Sequence, residues 1–600
     1  MNLILYLTLL LPVFATSPTN DYTPGKVKCP GTKLTRLATA INSKEVGYIS
    51  NRGKFSKLHL TNFLHNANMS DFDIDKFLET NKPIIGLAFS GGGYRAMLSG
   101  AGQLAALDSR VTSPDRTLAG LLQSSSYITG LSGGSWLIGS LACIDFPSVE
   151  QVMRDNILWN FEHSILDYYG LNVAANKLMW AMISLDVLGK QMAGFATSIT
   201  DPWGRALSYQ LLSTLKDNGD AMLWSDITNS SSFKNFSMPF PIISAVCREH
   251  GTYIRSINST VIEFTPYEMG SWDPSLNSFV DIKYLGTNLD DGIPKEGTCM
   301  SGYDNAGFIM GTSSSVFNEA ITELDQSGLP SFLIELIKKY ILTPIERHNG
   351  DVANYHPNPF YNSKNQKTRL ANSDTLLLVD GAEDGQNIPL VPLLNRNVDV
   401  IFAHDNSANT DGWPDGRSLI ATYERQFSLQ GENLAFPYVP DQSTFRNLNL
   451  TSKPAFFGCD AQNLTTLTDD IYGVPVVVYL PNRPFSYWSN TSTFKLVYSE
   501  NERRSMIRNG YEVSTRKNGT LDSEWAACMG CAIIRRSQER NGQEQSEQCK
   551  RCFKRYCWDG TIYSGPDLGD NFSDEGLTKS DQYYNKKNTP GFNNGATKFF

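Results

Sequence analysis

The sequence predicts an α/β fold with a central mixed, mostly parallel sheet, and three observations support this prediction. PIIGLAFS (83–90) is a buried-strand run that leads into three glycines and a helical stretch, YRAMLSGAGQLAAL. SSSYITG (124–130) repeats that order, with LSGG and then SWLIGSLACI. DTLLLVD (374–380) and NVDVIFAHD (397–405) return to buried-strand character. Strands that alternate with helical patterns are typical of sheets with parallel members.

The other segments fit one large domain with insertions. Near the N-terminus, Ser70 precedes DFDIDKFLE and predicts a helix start. The region of about 150–340 contains the helical stretches NKLMWAMISLDVLGKQM and PSFLIELIKKYIL and is interpreted as an insertion, since strand-like segments lie on both sides of it. We expect a domain over 18–560 and a polar tail over 561–600, and no internal repeat is apparent.

Composition excludes several classes of protein. Hydrophobic residues make up 41% and charged residues 19% of the 600, which is typical of a globular chain and not of a disordered one. The 52 basic and 61 acidic residues give a net charge of −9. That charge disfavours binding to nucleic acid and to anionic membrane surfaces.

The N-terminus resembles a secretory signal peptide over residues 1–17. Leu3 to Phe14 form a short apolar core, and the small residues Ala15, Thr16 and Ser17 follow it. The C-terminal NNGATKFF lacks the hydrophobic tail of a GPI-anchor signal. Nine N-x-[ST] sequons agree with secretion. We therefore expect a secreted, N-glycosylated protein without a GPI anchor.

Ten cysteines suit an oxidising compartment. Five are widely separated, whereas five crowd together between 528 and 557 as two C-x-x-C pairs and Cys557. The two pairs match zinc-ribbon spacing, but the signal peptide favours disulfides that hold a loop-rich segment. Zinc remains the alternative.

Ser132 lies in Gly130-Leu131-Ser132-Gly133-Gly134, which satisfies G-x-S-x-G. In that motif a strained turn from a strand to a helix exposes a nucleophilic serine. A plain glycine-rich loop is the alternative, but the position between a strand and a helix favours the nucleophile. The positive end of the following helix would also point at it.

Ser90-Gly91-Gly92-Gly93-Tyr94-Arg95 forms a second turn of the same kind. Glycines let backbone N–H groups approach a developing oxyanion closely, as acyl transfer requires. The alternative, a phosphate-binding loop, lacks the Lys-Ser/Thr ending of a P-loop. Arg95 is a fixed cation suited to a phosphodiester, and a surface ion pair is its ordinary alternative.

A base for the serine is offered at the end of the strand TLLL. Asp380 ends that strand at the edge of the sheet where ligands bind in such folds, and Asp384 is a competing candidate. His404 would complete the order serine, acid, histidine of an α/β hydrolase. It ends an apolar run, however, and is better explained as the cap of a strand. No metal or cofactor is expected, and an EF-hand pattern is absent.

Together these clusters resemble the fungal phospholipase B (lysophospholipase) family and, more distantly, the catalytic domain of the cytosolic phospholipases A and the patatin-like enzymes. The matching text is SGGGYRAMLSGAG, YITGLSGGSW, LLLVDGAEDGQNIPLVPLL and RNVDVIFAHDNSANT, and the resemblance extends from about Cys29 to Cys557.

The resemblance implies a patatin-like fold and a Ser–Asp dyad without histidine. By position, Ser132 is the nucleophile, Asp380 accepts its proton, Gly92 and Gly93 donate to the oxyanion, and Arg95 contacts phosphate. The implied activity is hydrolysis of fatty-acyl esters of phospholipids and lysophospholipids, with transient contact to a membrane or micelle surface. The alternatives are a Ser-Asp-His esterase and a zinc-stabilised binding protein. The oligomeric state is left open.

Overall fold

The computed structural model describes residues 17–113, 116–155, 158–248, 256–315, 350–364 and 369–566. The helical stretch expected at PSFLIELIKKYIL, most of the expected signal peptide and nearly all of the expected C-terminal tail lie outside these residues. The strands are β1 Gly25–Lys28, β2 Thr35–Leu37, β3 Ile85–Phe89, β4 Tyr127–Gly130, β5 Phe240–Arg248, β6 Val261–Phe264, β7 Glu268–Ser271, β8 Ser278–Asp281, β9 Leu289–Asp290, β10 Ile293–Pro294, β11 Thr298–Ser301, β12 Ala353–Tyr355, β13 Leu376–Val379, β14 Val400–Asp405, β15 Ala455–Phe457 and β16 Val476–Pro481.

The α-helices are α1 Ser43–Asn66, α2 Ile74–Thr80, α3 Gly93–Leu107, α4 Leu121–Ser124, α5 Gly133–Cys143, α6 Val149–Asp155, α7 Val173–Met192, α8 Thr200–Leu211, α9 Ser231–Lys234, α10 Ala306–Thr312, α11 Arg369–Asn372, α12 Val391–Leu394, α13 Arg417–Arg425, α14 Gln442–Asn447, α15 Glu500–Thr515, α16 Trp525–Arg540 and α17 Glu547–Tyr556. Short 3-10 helices cover Lys216–Gly219, Trp224–Asn229, Ile282–Tyr284, Gly381–Asp384, Leu429–Gly431 and Ala461–Leu464. The helix predicted after Ser70 begins later, because Asp73 and not Ser70 caps α2 through the Lys76 N–H.

A mixed sheet forms the centre, with the order β15-β16-β14-β3-β4-β5-β6-β7-β8-β2, and β13 and β12 join it beside β5. The α/β fold and the mixed sheet are confirmed. Among the described strands, parallel pairing links only the central strands β16, β14, β3, β4 and β5, so parallel pairs are not the expected majority. Strands β6 to β8 follow one another through the short connections 265–267 and 272–277, which permit only antiparallel pairing.

The central strands are buried on both faces because helices cover the sheet. Every residue of β3, β4 and β14 is buried, which explains why their sequences read as continuous apolar runs. Helix α3 packs between α5 and α15, and α8 and α10 pack together beside α5. Residues 240–281 lie within the region interpreted as an insertion and contribute β5 to β8 to the central sheet.

Disulfides fasten the C-terminal helices, so the zinc alternative is wrong. Cys528–Cys552 and Cys531–Cys549 join α16 to α17, and Cys459–Cys557 ties α17 to the segment after β15. A fourth bond, Cys29–Cys299, joins β1 to β11. In the described ranges, no group of three or more potential metal ligands is arranged around one point. Nor does any described helix combine the length and apolar character needed to cross a membrane.

Candidate active site

Ser132 occupies a sharp turn between a strand and a helix. Strand β4 ends at Gly130 and α5 begins at Gly133, so the predicted context of the G-x-S-x-G motif is present. The backbone of Ser132 has φ 50° and ψ −120°, a conformation that non-glycine residues rarely adopt and that clusters at functional sites. The Leu131 carbonyl accepts from the Gly134 N–H, and the Ser132 carbonyl accepts from the Trp136 N–H at 3.0 Å. The turn is therefore held by its own helix.

The glycine loop after β3 lies against this turn. Gly92 has φ 135° and Gly93 φ 62°, so both positions require glycine. A Cβ added to Gly133 would lie 2.1 Å from the Gly93 carbonyl oxygen, and one added to Gly91 would lie 2.9 Å from the Ser132 Cβ. The backbone of the glycine loop is therefore in close contact with the Ser132 turn. Because α3 begins here, its first N–H groups have no acceptor within the helix.

Asp380 follows β13, a strand that runs toward the Ser132 turn from the opposite direction to β4. Strands β4 and β13 lie on the same edge of β5, since β6 occupies the other edge opposite both. Gly130 at the end of β4 pairs with Ile243, and Val379 at the end of β13 pairs with Val246. Three residues of strand separate these partners by about 10 Å. The two strand ends therefore face each other across a short gap, into which Ser132 and Asp380 lead.

A run of serines after α10 bridges the two turns. Ser313 Oγ accepts from the Ser132 N–H at 3.0 Å and donates to the Ser244 carbonyl of β5 at 2.7 Å. Two residues later, Ser315 Oγ accepts from the Asp380 N–H at 3.0 Å. The same short segment thus fixes the backbone of both residues. The sequence did not predict a role for these serines, because Ser-Ser-Ser also occurs at 124–126 and 230–232.

Asparagines from the two late motifs brace the glycine loop. The Asn387 carbonyl accepts from the Gly91 N–H at 3.0 Å, and Asn387 Nδ2 donates to the Gly91 carbonyl at 3.1 Å. The Asn406 N–H donates to Ser90 Oγ at 2.7 Å. The segments DGQN and HDNSAN therefore support the backbone of the glycine loop. Their sequences did not predict this supporting role.

Arg95 is buried beside the glycine loop. A Cβ added to Gly92 would lie 2.2 Å from Arg95 Nη2, so the guanidinium sits directly on that backbone. Its Nε donates to the Asn406 carbonyl at 2.9 Å, and Nη1 donates to the Thr491 carbonyl and to Thr493 Oγ1 at 2.8 and 2.9 Å. Burial lowers the pKa of Arg95 to about 10, so it stays charged at neutral pH. A phosphate would therefore compete with the Thr491 and Thr493 contacts.

Asp384 and His404, the competing candidates, make other contacts. Asp384 accepts from the Gln386 N–H and Nε2 at 3.1 and 2.7 Å, and burial raises its pKa to about 6. The His404 ring stacks on Phe89 with centroids 4.5 Å apart. Within the described part of the chain, neither ring nitrogen of His404 has a hydrogen-bond partner. Burial lowers its pKa to about 3. A triad histidine bonds both the serine and the acid, so the structure does not assemble one around His404.

Comparisons with known proteins show which family and which fold this chain resembles. A family model for the lysophospholipase catalytic domain matches residues 85–563. Lysophospholipase 2 of Candida albicans is 61% identical over 97% of this chain and 96% of that protein. Lysophospholipase 3 of Saccharomyces cerevisiae is 47% identical over 93% and 84% of the two chains. Human GIVD cytosolic phospholipase A2 has a similar fold, with a TM-score of 0.61 at 16% identity over 85% of this chain and 72% of that one.

The family match covers most of the chain, and the high identities extend over nearly all of it. The predicted resemblance is confirmed. This chain accordingly belongs to the fungal lysophospholipase family and is a lipid ester hydrolase of the lysophospholipase/phospholipase B type.

Proposed function

We propose that this hydrolase cleaves fatty-acyl esters of glycerophospholipids and lysophospholipids through a Ser132–Asp380 dyad. One observation carries the proposal: the turns of Ser132 and Asp380 meet on one edge of β5 and are tied to neighbouring serines of one segment. A nucleophile needs a base within reach, and no histidine assembled with Ser132 competes for that role in the described residues.

The reaction would proceed in two steps. Asp380 takes the Ser132 Oγ proton while the oxygen attacks the ester carbonyl, and the N–H groups of Gly92 and Gly93 stabilise the oxyanion. The carbon–oxygen bond to the glycerol then breaks, and the alcohol leaves with the proton from Asp380. In the second step water gives a proton to Asp380 and attacks the acyl group. Ser132 leaves as the alcohol after recovering that proton, and a fatty acid is released.

Arg95 would contact the substrate phosphate. Its charge and its position on Gly92 support this role, and the contact would replace the hydrogen bonds to Thr491 and Thr493. No metal or cofactor is needed for these steps. Because such substrates aggregate in water, the enzyme would meet them at a micelle or membrane surface.

We also propose that the chain is secreted and N-glycosylated, with residues 1–17 removed and residues 18–560 forming the catalytic domain. Four disulfides support an oxidising compartment. The sequon residues Asn68, Asn235 and Asn258 are exposed, as glycan attachment requires.

Active-site labelling tests the dyad. A fluorophosphonate should attach to Ser132, as peptide mapping would show, and Ser132→Ala and Asp380→Asn should each abolish hydrolysis of lysophosphatidylcholine at an unchanged melting temperature. Asp384→Asn is the matched control and should keep the activity. Substantial turnover by either dyad variant, or a label on another residue, would refute the assignment.

A further inference from the structure

Helix α7 is apolar on both of its faces. Met179, Trp180 and Ile183 are buried toward α8 and the core. The opposite face carries a second set of large apolar side chains that remain in solvent. We call this set the α7 outer stripe: Leu178 (64% exposed), Met182 (47%), Leu185 (58%), Leu188 (46%) and Met192 (81%).

The spacing of these residues makes one continuous strip. At about 100° per residue, they fall within an arc of about 120° along about 21 Å of helix. Charge begins only at the two borders, with Lys177 on one side and Asp186 on the other, and Asp186 is paired with Arg205. The other α7 lysine, Lys190, is buried and paired with Asp201. A surface helix normally turns such a strip toward a core, so this strip indicates contact with an apolar phase.

The size of the stripe favours a lipid surface over a second copy of the chain. A strip one helix wide and about 21 Å long has a footprint of about 200 Å², whereas stable protein interfaces take about 800 Å² from each partner. Helices that lie in a lipid interface need only this narrow apolar face. Since the net charge of −9 opposes anionic membranes, the fitting surface is zwitterionic.

A series of packing contacts and hydrogen bonds links helix α7 to the candidate site. Helix α7 packs on α8, and Trp203 of α8 contacts Trp136 in the first turns of α5, with ring centroids 6.1 Å apart. Both indoles donate to Ser314 Oγ, at 3.0 and 3.1 Å. Ser314 lies between Ser313 and Ser315, the serines that hold the Ser132 and Asp380 backbones.

We propose that the α7 outer stripe inserts into zwitterionic phospholipid surfaces and brings the enzyme to aggregated substrate. The choice of a lipid partner rests on the function proposed above. The contact is driven by apolar burial, so it should depend little on salt.

Flotation with dioleoyl phosphatidylcholine vesicles tests the stripe, using the full chain with Ser132→Ala so that the lipid survives. Adding Leu178→Ser and Leu185→Ser should lower the partition coefficient by at least about tenfold. The matched control, Val46→Ser with Leu58→Ser on α1, changes side chains of 53% and 64% exposure and should leave it unchanged. Equal partitioning of the stripe variant and its parent would overturn the proposal.

Two further measurements distinguish lipid insertion by the stripe from an error in the dyad proposal and from dimer formation. In the active chain, the stripe variant should lose turnover of micellar lysophosphatidylcholine but keep turnover of a monomeric short-chain ester. A dyad variant should lose turnover of both substrates without a change in vesicle binding. If it keeps turnover, the dyad proposal fails while the stripe proposal stands. If light scattering shows a dimer that the stripe variant dissociates, the occupant is a second copy and the lipid proposal is wrong.

Discussion

Replacement of Ser313 by alanine should lower the activity about a hundredfold at a modest cost in stability. The hydroxyl accepts from the Ser132 N–H and donates to the Ser244 carbonyl. Its removal leaves a buried N–H without its acceptor, which costs about 1 to 3 kcal/mol. The unusual backbone conformation of Ser132 itself costs about 1 to 3 kcal/mol, so the turn is expected to relax once this support is gone. A shift of about 1 Å in a reacting group lowers the rate by about a hundredfold.

Ser140→Ala provides the matched control. Ser140 is likewise buried, and its hydroxyl accepts from Trp159 Nε1 at 3.0 Å and donates to the Leu137 carbonyl at 3.1 Å. It lies in α5, the same helix that begins after Ser132, but outside the turn. We expect both variants to lose similar unfolding free energy in urea titrations, while only Ser313→Ala loses about a hundredfold in kcat and in the rate of fluorophosphonate labelling. Wild-type labelling by Ser313→Ala, at the same loss of stability, would refute the positioning role.

Three other substitutions test separate parts of the structure. Arg95→Ala should lower kcat/KM on lysophosphatidylcholine about tenfold or more relative to an uncharged ester, a ratio that a general loss of stability would not change. His404→Phe should leave activity intact. Because burial depresses the pKa of His404 to about 3, the wild type should lose up to about 5 kcal/mol of stability as the pH falls from about 6.5 toward 3, and denaturant titrations should show that this variant lacks that loss. Cys528→Ser with Cys552→Ser should cost about 2 to 4 kcal/mol in a thermal melt without changing kcat.

The local motifs were predictable from sequence because interactions between residues close together in the chain determine them. The turns at Ser132 and at Gly92 and Gly93 each combine a buried strand, glycines at forced backbone angles and a helix start within a few residues. The start of α2 was misplaced because Ser70 and Asp73 are both capable caps, and only the folded chain shows which one is used.

Long-range features could not be read from local patterns. The approach of Asp380 to Ser132 depends on β13 pairing antiparallel with the far half of β5, more than 100 positions earlier in the chain. The bridging roles of Ser313 and Ser315 depend on where α10 ends in space. The pairing of Cys459 with Cys557 is likewise a tertiary contact.

The arrangement of strands also gives a physical reason for the proposed dyad. In an α/β hydrolase the histidine links an acid and a serine that come from separate strands of a parallel sheet. Here β4 and β13 run toward each other along one edge of β5, so the residues that follow them enter the same gap from opposite ends. The proposed dyad uses this arrangement, in which the acid would reach the serine without an intervening histidine. A histidine that bridged them would need space in a gap of about 10 Å between strand ends, and both turns already enter that gap.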